Sequence, residues 1–220
     1  MAAHAKQAWA PLFLTLLLLA ACDGQEEKAR PGHILIVGDS LTAGYGLNHP
    51  ENDAWPALIE EEWASSGFLA PDQHIINAGI SGDTSAGGLD RLPDLLEEHQ
   101  PGTVIIALGS NDIKRQTTTR ALEHNLGEMT RQAQATGATV LLVGVDLPTP
   151  LALAARGQPN QSISKLAEQY STEMATIPLD EISSDGDMLP DQIHPGLGGQ
   201  VTIQEALEPA IRKAASAKNK

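Results

Sequence analysis

Cysteine is nearly absent: the chain of 220 residues has one, Cys22. No disulfide can form within it, so stability must come from a packed core. Aromatic residues make up only 3%, and that core must therefore be assembled from Leu, Ile, Val and Ala. Positive charge is scarce too, with 14 Lys and Arg against 28 Asp and Glu. A net charge of −14 repels phosphate backbones and gives no hold on an anionic bilayer, which argues against nucleic acid as a partner. Internal repeats and low-complexity blocks are missing. The one marked apolar run, from Leu12 to Ala21, is too short to cross a bilayer comfortably. What is present is a hydrophobic fraction of 41%, enough for the core of one α/β domain of ordinary size.

The apolar run follows a start carrying Lys6 and ends on small residues, the layout of a secretory signal over residues 1–21. The stretch Leu19-Ala20-Ala21-Cys22 resembles the bacterial lipobox. That resemblance implies that Cys22 is lipidated, becomes the mature N-terminus and anchors the protein to a membrane, with more than one acyl chain as stable anchoring requires. Residues 22–32, "CDGQEEKARPG", then read as lipidated cysteine and polar tether, residues 33–216 as the domain and 217–220 as a tail. The expected location is the bacterial envelope, facing the periplasm. Asp23 resembles an inner-membrane retention signal whose rule differs among bacteria, so the choice of membrane stays open.

Five apolar runs of strand length follow: Ile34–Val37, His74–Asn77, Val104–Leu108, Val140–Val145 and Met174–Pro178. They do not alternate with polar residues, as suits parallel strands covered on both faces. Between them lie helical periodicities. Leu122, Leu126, Met129 and Ala133 mark one helix with Gly137 as its stop; Trp55, Leu58, Ile59 and Trp63 mark a second. Leu89, Leu92, Leu95 and Leu96 mark a third, and the last runs from about Pro195 to Ala215. Alternating strand and helix predicts a three-layer α/β domain, in which ligands bind beyond the carboxyl ends of the strands.

Four segments bring small or polar residues to that rim: Gly38-Asp39-Ser40, Asn77-Ala78-Gly79, Gly109-Ser110-Asn111-Asp112, and Asp191-Gln192-Ile193-His194. A serine hydroxyl becomes a nucleophile when a base takes its proton, and His194 can be that base. Asp191, three residues earlier, can hold the imidazole tautomer. The N–H groups of Ser40 and Gly79 and the Asn111 amide can face a developing oxyanion. Each residue also has an ordinary structural use. Ser40 or Asp39 can cap a helix, Gly79 can serve a turn, Asn111 and Asp112 can form an Asx-turn, and Asp191 can cap the last helix. Together, at one rim, they favour catalysis. Asp185, Asp187 and Asp191 lack the rest of an EF-hand pattern, and the other histidines lack metal-ligand spacing, so no metal site is expected.

The blocks "GDSLTAG", "NAGISGDTS", "GSND" and "DQIHP" resemble those of the SGNH hydrolases, or GDSL esterase/lipase family, in the right order from about His33 to the C-terminus. The resemblance is strongest to bacterial arylesterases and multifunctional thioesterase/lysophospholipases. It implies a flavodoxin-like sandwich with a five-stranded parallel sheet. It also implies Ser40 as nucleophile, His194 as base, Asp191 as orienting acid, and Ser40, Gly79 and Asn111 as the oxyanion hole. No metal or organic cofactor is implied, and the partner is a small acyl ester or lysolipid substrate. Ser110 departs from the Gly-Gly-Asn-Asp of many thioesterase relatives, and residues 147–160, one candidate wall of an acyl pocket, differ from their long-chain counterparts. Thr42 removes the Gly-x-Ser-x-Gly elbow of α/β-hydrolases. An acyltransferase or carbohydrate deacetylase would use the same triad, and an inert acyl-binding lipoprotein would be expected to have lost part of it.

Overall fold

The computed structural model describes residues 31–148 and 159–217, together with Met1. The expected signal segment, Cys22, nearly all of the tether, most of the 147–160 loop and the last three residues lie outside the described residues.

Five strands form one parallel sheet in the order β2-β1-β3-β4-β5: β1 Ile34–Gly38, β2 Ile75–Gly79, β3 Thr103–Ala107, β4 Thr139–Val145 and β5 Glu173–Ile177. Each apolar run becomes a strand, with ends moved by one or two residues, the usual uncertainty of element boundaries. The expectation of full burial holds for β1 and β3, which are buried throughout, and for all but the ends of β4. It fails for β2 and β5, most of whose residues are only partly covered or exposed. Those two are the sheet edges, where one flank has no neighbouring strand.

Successive side chains of a strand point to opposite faces, and the core divides accordingly. Ile34, Ile36, Ile105, Leu141 and Val143 pack with Trp55, Ile59 and Trp63 of α3 (Trp55–Ser65) and with Ile203, Leu207 and Ile211 of the final helix, α9 (Leu197–Ser216). Leu35, Val37, Val104, Ile106 and Leu142 face the other way. They meet Leu92 of α4 (Ser85–His99), Leu126 and Met129 of α6 (Thr119–Ala135), and Ile163 and Leu166 of α7 (Pro159–Tyr170). This is the expected three-layer sandwich. The few aromatic residues are not spread evenly: Trp55, Trp63 and Phe68 are all buried on the α3/α9 face. The ring of Phe68 meets Trp63 edge-on at 4.5 Å, and the Arg212 guanidinium lies 4.3 Å from the Phe68 centroid.

Because all strands run the same way, β1, β2 and β3 end at one rim. There the chain turns sharply into α1, a single helical turn at Ser40–Ala43. Asp39, not Ser40, is its N-cap, with Oδ1 accepting the Leu41 N–H at 3.0 Å, and Gly44 closes it in the left-handed conformation. This turn lies so close to the sheet that two glycines are obligatory. A Cβ on Gly38 would run into Thr42. A Cβ on Gly79 would lie 2.5 Å from the Ala43 nitrogen and 3.0 Å from the Asp39 carbonyl oxygen, backbone atoms that cannot swing aside.

Gly79→Ala should therefore lower stability by about 1–3 kcal/mol, as overpacking against fixed atoms does. Gly137→Ala, which meets open space but sits at φ +86°, should lose only about 1 kcal/mol through left-handed strain. Thermal unfolding of the two variants compares them directly, and equal losses would reject the close approach of α1.

Candidate active site

The loop between α8 (Leu179–Asp185) and α9 carries Asp191 and His194. It is tied down locally. Leu189 N–H donates to the His194 carbonyl at 2.7 Å, Gly196 N–H donates to the Asp187 carbonyl at 2.7 Å, and Met188 and Pro195 form an antiparallel bridge. Within this clamp Asp191 Oδ1 accepts the N–H groups of Ile193 and His194, each at 3.0 Å. Its Oδ2 lies 2.7 Å from His194 Nδ1. On the far side of the ring, His194 Nε2 lies 2.9 Å from Ser40 Oγ, joining positions 154 residues apart.

The proton positions follow from chemistry. The His194 ring and the two backbone donors hold the Asp191 carboxyl down at about 2, so it is ionised and only accepts. Nδ1 must then carry the hydrogen, which leaves Nε2 of the neutral ring as acceptor for the Ser40 hydroxyl. The Tyr45 ring lies against the imidazole, with centroids 4.5 Å apart and planes at 44°, and is itself half exposed.

Asn111 lies in α5 (Ser110–Lys114), the short helix after β3. Its Nδ2 donates to the Asp83 carbonyl at 2.9 Å and to Asp39 Oδ2 at 3.2 Å. The Gly79 N–H is given to Asn77 Oδ1 at 3.0 Å, while Asn77 Nδ2 donates to the Thr42 carbonyl. Ser40 opens α1, so its N–H has no acceptor within that helix. The five residues expected at the rim come together there: Ser40, His194 and Asp191 in a hydrogen-bonded chain, Gly79 and Asn111 on the segments flanking the Asp39-Ser40 turn. Among the described residues, no group of three or more His, Cys, Asp or Glu side chains is placed to hold a metal.

Several residues at the rim make contacts beyond those expected of them. Asp39 is buried at 2% exposure, and this burial pushes its carboxyl up to about 6 despite the Leu41 N–H, Lys114 and His194, which pull the other way. Asp112 does not form an Asx-turn. It reaches across to α4, accepting the Ser85 N–H at 2.7 Å and the Ser85 hydroxyl at 2.6 Å, and so moors α5. Arg91 pairs with Asp83 at 2.9 Å and donates to the Gly38 carbonyl at 3.2 Å, linking the end of β1 to the loop that holds Asn111. For Asp83, Ser85 and Arg91 the signal in the sequence is the density of polar residues in "ISGDTSAGGLDR".

A parallel sandwich presenting a Ser–His–Asp chain at its rim is the architecture of a serine hydrolase. The model of the GDSL-like lipase/acylhydrolase family matches residues 36–200. Esterase TesA of Pseudomonas aeruginosa is 36% identical over 200 residues, 89% of this chain and 97% of its own. The thioesterase 1/protease 1/lysophospholipase L1 of Escherichia coli is 33% identical over 195 residues, covering 88% of this chain and 86% of its own. The crystal structure of the psychrotrophic esterase EstA from Pseudoalteromonas sp., inhibited by monoethylphosphonate, has a TM-score of 0.72 at 29% identity, covering 83% of this chain and 97% of that one. The chain belongs to the GDSL-like lipase/acylhydrolase family and is a serine ester hydrolase.

The two shifted carboxyls act on stability with opposite signs. Asp191 is depressed, so its contribution is present above pH about 4 and is lost as pH falls toward 2. Asp39 is raised, so the folded state holds its proton more tightly and stability falls as pH rises from about 4 to about 6. Asp39→Asn removes that decline. Relative to wild type the variant should gain on the order of 3 kcal/mol between pH 4 and pH 7, at ~1.36 kcal/mol per unit of pKa. Urea unfolding at the two pH values measures it, and a constant difference would show that the buried carboxyl does not titrate there.

Proposed function

We propose that the ester hydrolysis runs through an acyl-Ser40 intermediate, with His194 as base and Asp191 as its orienting partner. The observation that carries this is the unbroken chain Ser40 Oγ–His194 Nε2, His194 Nδ1–Asp191 Oδ2 at 2.9 and 2.7 Å. His194 takes the hydroxyl proton as Ser40 attacks the ester carbonyl, and the ionised Asp191 stabilises the imidazolium that results. The proton then goes to the leaving alcohol. In the second half His194 takes a proton from water, which attacks the acyl carbon and frees the acid.

The oxyanion is met by the N–H groups of Ser40 and Gly79 and by Asn111 Nδ2. In the free enzyme the Gly79 and Asn111 donors are occupied by Asn77, Asp39 and Asp83, which holds their hydrogens in place before substrate arrives. Each such donor contributes about 2.7–4 kcal/mol to the transition state.

The substrate class is small acyl esters. The names of the relatives, esterase, thioesterase and lysophospholipase, support extending it to thioesters and lysolipids. The protein works at the bacterial envelope, facing the periplasm and anchored through lipidated Cys22. The lipobox-like Leu19-Ala20-Ala21-Cys22 directly behind the apolar run supports that placement.

Ser40→Ala should abolish hydrolysis of p-nitrophenyl acyl esters while leaving the unfolding transition intact, and an organophosphonate should label wild type but not the variant. Activity retained near the wild-type rate would reject Ser40. Asp191→Asn should lower kcat by about a thousandfold or more, because an amide no longer enforces the tautomer. Cys22→Ala should block incorporation of radiolabelled fatty acid in cells, and labelling that persists in the variant would remove the anchor.

A further inference from the structure

An asparagine side chain is nearly symmetric in shape but not in function. Turning it over exchanges a donor for an acceptor, and only the nitrogen side can stabilise an oxyanion. Something must decide which way round Asn111 sits. It is 9% exposed, so bulk water has little access to make that choice. Two acceptors face its Nδ2, the Asp83 carbonyl at 2.9 Å and the Asp39 carboxylate at 3.2 Å. Asp39 divides its oxygens between two tasks. Oδ1 caps α1 through Leu41, and Oδ2 meets Asn111.

We propose that Asp39 is a positioning residue for the reaction: its Oδ2 locks the Asn111 carboxamide with its N–H side held against the nucleophile turn. This rests on the reading of Asn111 as an oxyanion donor. A carboxylate has no hydrogen to offer, so a flipped Asn111 would set its Oδ1 against two acceptors. The pairing at 3.2 Å is the longer of the two, and its hydrogen is the one the oxyanion comes to share. The second acceptor is fixed independently, since Arg91 binds both the Asp83 carboxylate and the Gly38 carbonyl. Replacing Asp39 by Asn separates the lock from the cap. Asn is as good an N-cap as Asp, and its Oδ1 can still accept the Leu41 N–H. Its Nδ2 then lies where Oδ2 was, donor facing donor, which drives Asn111 to turn over or withdraw.

The test is steady-state hydrolysis of a short-chain p-nitrophenyl ester by the full-length protein and four variants: Asp39→Asn, Asp39→Ser, Asn111→Ala, and Asp39→Asn combined with Asn111→Ala. Asp39→Asn should lower kcat by about tenfold or more with KM nearly unchanged and a cooperative unfolding transition. Asp39→Ser keeps a capping oxygen but is too short to reach Asn111, and should lose kcat likewise. Asn111→Ala should lose about a hundredfold, the loss expected for one oxyanion donor. The double variant should be no slower than Asn111→Ala alone. If the Asp39→Asn loss reappears in full on top of Asn111→Ala, or if either Asp39 variant folds and keeps the wild-type kcat, the lock is overturned. A harmless Asn111→Ala would instead overturn the oxyanion reading of Asn111, and the lock with it.

Discussion

One turn of helix must lie almost in contact with the end of a parallel sheet, and the active site is arranged around that closeness. Ser40 projects from the rim because α1 begins immediately after β1, without a loop to lower it. The turn has space only because Gly38 and Gly79 offer no Cβ to Thr42 and Ala43. The Asn77 side chain ties the same turn to β2 by donating to the Thr42 carbonyl, and Arg91 ties the end of β1 to the Asp83 loop. Packing and catalysis are not separable here: the atoms that fix the backbone of residues 38–43 are those that aim the hydroxyl.

Two aspartates flank the serine chemistry, and their surroundings separate them by about four units of acidity. Asp191 is partly open to solvent and accepts three hydrogen bonds, which favour its charge. Asp39 is buried with fewer donors, and desolvation disfavours its charge. The first holds the His194 ring by Nδ1 and leaves Nε2 facing Ser40. The second caps α1 through Leu41 and accepts the Asn111 amide, so its two oxygens tie the serine turn to α5.

Much of this was legible in the sequence. The apolar runs identified all five strands; for β1, β3 and β4 the reason is burial on both faces, which leaves no room for polar alternation. The triad was legible because Ser40 follows one strand directly and the Asp-to-His spacing is local. The exposure of β2 and β5 was not legible, since edge position depends on strand order rather than on a strand's own residues. Nor were the contact of Asp39 with Asn111 and the tasks of Arg91 and Asp112, although the capping of α1 by Asp39 was. A buried polar side chain is defined by the partner it meets, and here the partners are 72 positions away for Asp39, 53 for Arg91 and 27 for Asp112. Only the folded chain puts them in reach. Tyr45, five residues after the serine, stood in plain view within the first block, yet its contact with His194 also requires the two ends of the chain to meet.

The order in which the reactive groups occur along the chain has a temporal meaning. Ser40 and the two flanking segments are complete by residue 114, whereas Asp191 and His194 arrive within the last thirty residues. A chain still emerging from the ribosome holds Ser40 before the His194 that its hydroxyl meets has been made. The hydrogen-bonded chain of Ser40, His194 and Asp191 can therefore close only once nearly the whole molecule has been made.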